Sequence, residues 1–576
     1  MVTYSAAQRS SQAPFAPQLT ALLRCLPVIL ISIVALAPVA IILVSSFRLS
    51  LPGQPTKWGF DGWIAAFSSP SIWDAIANTF ILAAMRVPIS VVIGCLLAWL
   101  LIRTNLRWRR HIEFLFWIAF FLPTLPMAMA WALLLDPHSG WVNLALMKLL
   151  GLEEAPFNIF SYLGITWVHM TATTVPVMVI LLGPAFRGLD PAMEESARMS
   201  GASRLESLRL ITLPLVTPAL MVAAVAGFIR SLEAFEVELY LGVPAGIRVY
   251  STKIQELAVW EPPRYAPSMA MSVPFVALLF LLAILYQRFL ATRSFTTVSG
   301  KGSASPPIDL GAWRWPATIL CGAVAALAVL VPTATLLFGS FMEVFGVTRA
   351  DGSFLFTLSH WRAVLHDSLF ASSVVNTLEI GLGTAVLAVL IYSTIAYIIL
   401  RSRLGGRKFL GLVTWLPWAF PGILLSLSFL WLFLGTPVLN LLYGSLASLV
   451  LAMLFKEMPV GVNLMRSGLL QIAVELEEAG KMSGADWWQT YRMVLLPLLA
   501  PTAITVATLA FISCVKDIST MILLSTPDTR PLSLLVLDYT SNGSIENGAV
   551  VGVISAALAV GVALLGRRIG SRFARS

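Results

Sequence analysis

The sequence predicts an all-α polytopic membrane protein with about twelve transmembrane helices in two parallel six-helix repeats. Three observations carry that expectation. The composition is apolar with few charges, twelve apolar runs are long enough to span a bilayer, and a set of polar and aromatic residues recurs at near-constant spacing.

Of 576 residues, 58% are hydrophobic and 12% are charged, against about 25% charged in a soluble domain. Mean hydropathy is +0.85. Crossing roughly 30 Å of hydrocarbon takes about 20 helical residues. The runs fall near 24–46, 79–101, 113–135, 160–184, 215–240, 267–290, 316–340, 377–400, 409–434, 442–464, 500–524 and 547–567. Helix is the form expected of each, because its backbone groups must find partners within the segment.

The net charge of +9 is unevenly placed. Alternating the loops between sides puts roughly 25 of the 38 Lys and Arg on one side. Arg103, Arg107, Arg109 and Arg110 lie there, with Arg401, Arg403, Arg407 and Lys408, Arg288 and Arg293, and Arg567, Arg568, Arg572 and Arg575. The positive-inside rule makes that side cytoplasmic, with both chain ends on it. The basic excess therefore records topology and not a nucleic-acid partner. Cys25, Cys95, Cys321 and Cys514 fall inside apolar runs without ligand-like spacing, so neither disulfides nor a metal site is expected. The first run is too long for a cleavable signal and is expected to be a retained span.

The third observation is the repeat. Trp63, Asn78, Thr79, Arg103, Leu106 and Arg109 recur 298 positions later as Trp361, Asn376, Thr377, Arg401, Leu404 and Arg407. Leu122-Pro123 is matched to Leu416-Pro417. A second block, from Pro176 to Phe228-Ile229, recurs 283 positions later as Pro459 to Phe511-Ile512. Chance likeness between apolar segments explains shared Leu and Val, but not shared Trp, Asn, Arg, Gly and Pro. The expected halves are 1–293 and 314–576, joined by a polar linker at 294–313. An even number of spans per half gives both the same orientation, so a solute path would lie between them.

The strongest local signal is a loop that occurs twice, at about 187–213 and 467–496, between the fourth and fifth spans of each half. It reads Glu194-Glu195-Ser196-Ala197-Arg198-Met199-Ser200-Gly201-Ala202, then Leu213-Pro214. Its second copy reads Glu477-Glu478-Ala479-Gly480-Lys481-Met482-Ser483-Gly484-Ala485, then Leu496-Pro497. Acidic residues suit the positive end of a short helix. Small residues leave a surface that another protein can approach closely. Gly201 and Gly484 permit a sharp reversal, and each Pro suits the first turn of the next span. A plain solvated amphipathic loop would not need to appear twice at one location.

Here the chain resembles the inner-membrane permeases of binding-protein-dependent ABC importers. Their signature loop reads Glu-Ala-Ala, a short spacer, Gly, and then a hydrophobic-Leu-Pro. The resemblance implies that the loop is a coupling helix docking an ATPase, with Glu194, Glu195, Ala197 and Gly201 in one copy. Glu477, Glu478, Ala479 and Gly484 take those roles in the other. Ser196 and Gly480 depart from the pattern, but both are small. The resemblance further implies two copies of an ATP-binding-cassette subunit, which bind ATP and Mg so that this chain needs no cofactor. It also implies a periplasmic solute-binding protein and a multi-pass place in a bacterial inner membrane. The external loops near 47–78, 242–266, 342–374 and 525–546 would receive the binding protein. Ser231 to Val237, Val243-Pro244-Ala245-Gly246-Ile247 and Val515-Lys516-Asp517-Ile518 look like segments of the fused ferric-iron permeases. Importers of polyamines, thiamine, phosphonates and sulfate share parts of the pattern.

Ionisable groups inside spans are costly and mark functional candidates. Span five ends with Arg230, Glu233, Glu236 and Glu238, and its counterpart has Ser513, Lys516 and Asp517. Glu233, Glu236, Lys516 and Asp517 are the expected lining of the path, with Glu233 and Glu236 on one helical face. The competing expectation is that such groups snorkel or pair with one another. Lys456 and Glu457 are expected to pair internally, and Arg86 to serve as an interhelical or snorkelling group. His360 and His366 are expected to be surface residues. No phosphate-cradling Gly-rich loop with Lys-Ser/Thr occurs, and no nucleophile triad or metal cluster is apparent. The expectation is therefore a transport subunit and not an enzyme. The rival class is a secondary transporter driven by an ion gradient, which would have no need of two docking loops.

Overall fold

The computed structural model describes residues 15–52, 54–292, 307–347 and 354–573. Most of the expected linker, 294–306, lies outside them. The described residues are helical, and the extended segments pair only as isolated bridges. Among the described residues, nine helices are long and apolar enough to cross a membrane, and three bent helix pairs raise the number to as many as twelve.

The first half comprises α1 (Phe15–Ser45), α2 (Pro70–Arg103), α3 (Arg109–Phe121) and α4 (Thr124–Leu135). It continues with α5 (Tyr162–Arg187), α6 (Pro191–Met199), α7 (Leu208–Leu232), α8 (Tyr250–Val259) and α9 (Tyr265–Thr292). The remainder of the chain begins with α10 (Gly311–Gly339), α11 (Ser368–Leu400), α12 (Arg407–Trp418), α13 (Gly422–Gly435) and α14 (Leu446–Leu470). It ends with α15 (Val474–Met482), α16 (Trp487–Leu498), α17 (Ala500–Lys516), α18 (Leu532–Ser541) and α19 (Ile545–Phe573).

Two spans expected to be continuous are broken. The helices α3 and α4 meet at 106°, and α12 and α13 at 110°. The breaks fall at Leu122-Pro123 and Phe420-Pro421, where a proline lacks its N–H and forces the preceding residue out of the helical region. Leu122 and Phe420 are accordingly extended, with ψ of 143° and 111°. Pro421 stands 298 positions after Pro123. This corrects the match of Leu122-Pro123 to Leu416-Pro417, since Leu416–Ala419 is a tight helical turn before the break. A third bend, of 77°, separates α16 from α17.

The short helices after the first spans are positioned alike. Trp63 stacks on Phe47 at 5.6 Å, and Trp361 stacks on Phe341 at 5.5 Å. The Asn78 amide donates to the Arg248 carbonyl, and the Asn376 amide to those of Asp528 and Arg530. Thr79 and Thr377 each accept an N–H, from Tyr250 and Leu532, both at 2.8 Å. These contacts hold α8 and α18 against α2 and α11.

The first span of each half also reaches across to the other. The helix α1 packs on α12 and α13, and α10 on α3 and α4. Arg48, just past α1, lies over the Trp431 ring of α13 at 5.3 Å. Side chains such as Ile33, Val92, Ile319 and Val386 stay exposed around the bundle, as expected of surface that faces hydrocarbon.

Candidate functional site: paired loop helices and a charged interior

The two repeated loops fold alike. Each short helix, α6 or α15, ends at a glycine in the left-handed region, Gly201 at φ +92° and Gly484 at φ +83°. In that region a side chain would clash with the backbone. The next helical turn begins with a reciprocal cap. The Ser203 N–H donates to Glu206 Oε2 at 2.8 Å, and the Glu206 N–H returns to Ser203 Oγ at 3.2 Å. In the second copy the Asp486 N–H donates to Gln489 Oε1 at 2.9 Å, and the Gln489 N–H to Asp486 Oδ1 at 2.6 Å. Each pair satisfies two of the donors a helix start leaves open. The Ser203 groups hold the exposed Glu206 carboxyl below its ordinary range.

The glutamate pairs divide their work. Glu194 faces inward, accepting from Arg103 at 2.7 Å and from Thr212 Oγ1 at 2.6 Å. Glu477 is also turned inward, in an ion pair with Arg401 at 3.2 Å and accepting from the Tyr397 hydroxyl at 3.3 Å. Both are therefore engaged by their own chain. Glu195 and Glu478 are exposed, as are Gly201 and Gly484, while Ala197 is half-buried and Ala479 exposed. Met199 and Met482, 90% and 89% exposed, project from matched positions. Arg103 and Arg401, read from sequence as topology signals, are missed structural residues. They brace each loop helix to the end of the second span. Their recurrence at the repeat spacing was the available signal.

The interior charges are mostly paired. The helix α7 stops at Leu232 instead of running to 240, and a separate turn follows at Glu238–Gly242. Carbonyls freed by the break are taken up by side chains, as a membrane interior demands. Arg86 donates to the Ser231 carbonyl, and Ser251 to that of Ala234. Arg86 also donates to Ser231 Oγ at 2.7 Å and Glu238 Oε1 at 3.0 Å, and His169 Nε2 lies 2.9 Å from the same oxygen. Arg86 is thus an interhelical group, fully buried.

In the second half α17 stops at Lys516, and Ser533 donates to the Asp517 carbonyl at 2.6 Å. Asp517 forms an ion pair with Lys456 and accepts the Thr520 N–H at 2.8 Å. Lys456 therefore bonds to Asp517 and not to its neighbour Glu457, which accepts from Ser513 at 2.6 Å. Adjacent residues on a helix point in different directions, so a sequential pair seldom meets.

Of the expected path residues, Glu233 is paired with Arg230 at 3.1 Å. Lys516 donates to the Phe120 carbonyl at 2.8 Å, across the chain's two halves, and its ammonium lies over the Phe120 ring at 4.8 Å. The half-buried Glu236 lies within electrostatic reach of Lys456 and Asp517. The four are thus brought to one region, where Glu233 also senses Lys456. A small cavity there is lined by Pro123, Leu125, Pro126, Lys516, Ser533 and Val536. His360 is half-buried rather than free at the surface, within reach of Asn547 Oδ1 and the Glu343 carbonyl, both at 3.1 Å. No cluster of three or more potential metal ligands occurs among the described residues.

Two braced loop helices on a polytopic helical bundle, with opposed charges buried in one region, mark a multi-pass membrane protein. The family model for the binding-protein-dependent transport system inner membrane component matches residues 391–574. The ferric transport system permease protein FbpB of Actinobacillus pleuropneumoniae is 24% identical over 73% of this chain and 61% of its own length. A putative ferric transport permease of Haemophilus influenzae is 26% identical over 68% of this chain and 61% of its own. The trehalose transport permease SugB of Mycobacterium tuberculosis is 30% identical over 37% of this chain and 78% of its own. The chain belongs to the family of ABC-importer inner-membrane permeases, the binding-protein-dependent transport components. It spans about three-fifths of the length of the ferric permeases it matches.

Proposed function

We propose that this chain is the translocating subunit of an ATP-driven importer, with ferric iron delivered by a binding protein as its cargo. The observation that carries the reading is the pair of loop helices. Each presents an exposed glutamate and an exposed methionine outward, while an inward glutamate ties the helix to a span. A push on either helix is thereby passed to α2 or α11, and a matched pair suits two copies of one ATPase. ATP and Mg belong to that partner. In this reading the halves 1–293 and 314–576 are duplicated units with both chain ends in the cytoplasm. Force on the loops rocks one unit against the other around the Glu233, Glu236, Lys456, Lys516 and Asp517 region.

Iron is favoured over other cargo by the two ferric permeases among the relatives, and acidic groups in the interior suit a cationic solute. The test is uptake into vesicles that hold this chain, an ABC ATPase and an iron-loaded binding protein. Radioactive iron should enter only with ATP and with the ATPase present. Full-rate entry driven by an ion gradient without the ATPase would overturn the importer reading. ATP-dependent entry of another solute, with iron excluded, would overturn only the cargo.

A further inference from the structure

The loop that follows the second span turns on different residues in the two halves. Gly405-Gly406 in one half stand where Arg107-Trp108 stand in the other, 298 positions earlier. Both loops turn in the left-handed region immediately before a helix, Gly406 at φ +81° and Trp108 at φ +55°. Glycine adopts that conformation freely, whereas a side-chain-bearing residue there is strained. Trp108 is the one non-glycine residue with positive φ among those described. Its indole is nevertheless 58% exposed, so the strain is not offset by burial in the core.

What the strained turn does is complete a cluster. The Arg107 guanidinium lies 5.4 Å from the Trp108 ring and 5.3 Å from that of Trp315 at the start of α10. The two rings meet edge to face at 6.2 Å. Trp315 is brought there by a short bridge. The Ile308 N–H donates to the Arg103 carbonyl at 2.8 Å, and the Asn105 N–H to the Ile308 carbonyl at 3.1 Å. Trp313 beside them is 73% exposed. Arg107, Arg109, Arg110 and Arg314 are all exposed, and none pairs with a carboxylate among the described residues. The second loop carries as many basic residues, with Arg403, Arg407 and Lys408 beside Arg401, so topology accounts for the charge; it does not account for Trp108.

Exposed tryptophans at a span end belong at the headgroup level of a bilayer, and unpaired arginines beside them attract anionic headgroups. We propose that Arg107, Trp108 and Trp315 form a headgroup site for an anionic phospholipid in the leaflet on the loop-helix side. The rings hold the guanidinium at the interface, where its free N–H groups face the lipid phosphate. The site lies beside Arg103, whose side chain braces α6, so an occupied site stiffens the junction of linker and loop helix.

The test uses the intact chain purified in mixed micelles with phosphatidylglycerol or phosphatidylcholine, with retained lipid read by native mass spectrometry. The native protein should retain phosphatidylglycerol over phosphatidylcholine by at least about fivefold, the factor one interfacial arginine supplies. The preference should fall several-fold in Trp108→Gly, which keeps the turn in the form the other half uses, and in Arg107→Gln, which keeps both rings. Inorganic phosphate should not displace the lipid. Equal retention of the two lipids by the native protein, an undiminished preference in either variant, or displacement by phosphate would each overturn the proposal.

Discussion

The fifth spans of the two halves stop at matched positions, Leu232-Glu233 and Val515-Lys516, yet they are locked by different chemistry. In each, a serine hydroxyl from the following helix, Ser251 or Ser533, takes the carbonyl just beyond the stop. Beyond that shared device the first half uses an arginine from α2, which serves a carbonyl, a hydroxyl and a carboxylate at once, with His169 on the same carboxylate. The second half uses a lysine from α14 on one aspartate. A guanidinium spreads its donors over several fixed acceptors, whereas an ammonium acts as a point charge. The first lock is therefore a rigid knot, and the second is closer to a single latch that can be released.

That difference sets the largest expected effect. Arg86→Met leaves Glu238 buried with only His169 and frees the Ser231 carbonyl, so it should cost about 3–5 kcal/mol. Asp517→Asn should cost less, by about the worth of one hydrogen bond, ~1 kcal/mol. The reason is that the Lys456 side chain keeps 21% exposure and has Glu236 within electrostatic reach. Thermal unfolding in detergent measures both. Lys456→Met should cost more than Asp517→Asn, because it leaves the buried Asp517 carboxylate, and Glu236 beside it, without their cation. If Asp517→Asn proved more damaging than Arg86→Met, the contrast between knot and latch would be reversed.

Much of this arrangement is legible in the sequence. The spans, the repeated loops and their glycine turns follow from apolar run length and from residue types that tolerate little substitution of role. What could not be read was which charges meet. Lys456 and Glu457 are adjacent in sequence, but helical geometry sends them to Asp517 and Ser513, both on α17 or its end. The breaks at Pro123 and Pro421 were hidden because hydropathy averages across a bend. Arg103 and Arg401 looked like markers of sidedness, since positive charge near a span end has that meaning whether or not it also holds a carboxylate.

Those two arginines supply the middle effect. Arg103 gives one bond to Glu194, which keeps Thr212 as a second donor. Arg401 pairs with Glu477 and also donates to the Leu469 and Ile472 carbonyls, at 3.1 and 2.6 Å. Arg103→Gln should cost about 1.5–3 kcal/mol, the range for a charge-assisted bond, and Arg401→Gln about 1 kcal/mol more. In the uptake assay both should lower the cargo moved per ATP hydrolysed while ATP hydrolysis continues. A fall in both rates together would mean that the arginines serve folding alone.

The smallest effect separates the loop caps by pH. Ser203 holds the Glu206 carboxyl below its ordinary value of 4.5, chiefly through its backbone N–H and then its hydroxyl. A depressed folded value means that the carboxylate stabilises the cap fully above the unfolded value. That contribution is lost as the pH falls below 4.5 toward the folded value. The matching cap, Asp486 with Gln489, has an amide in place of the glutamate, so its returning acceptor does not titrate. Acidification from pH 6 to about pH 4 should therefore lower the protection of amides 203–207, measured as exchange relative to the unstructured chain at the same pH. Glu206→Gln should abolish that loss in the first loop, whose cap then holds no carboxylate. An acid-induced loss of protection at 203–207 that persists in Glu206→Gln would show that the first cap is set by its surroundings and not by this carboxylate.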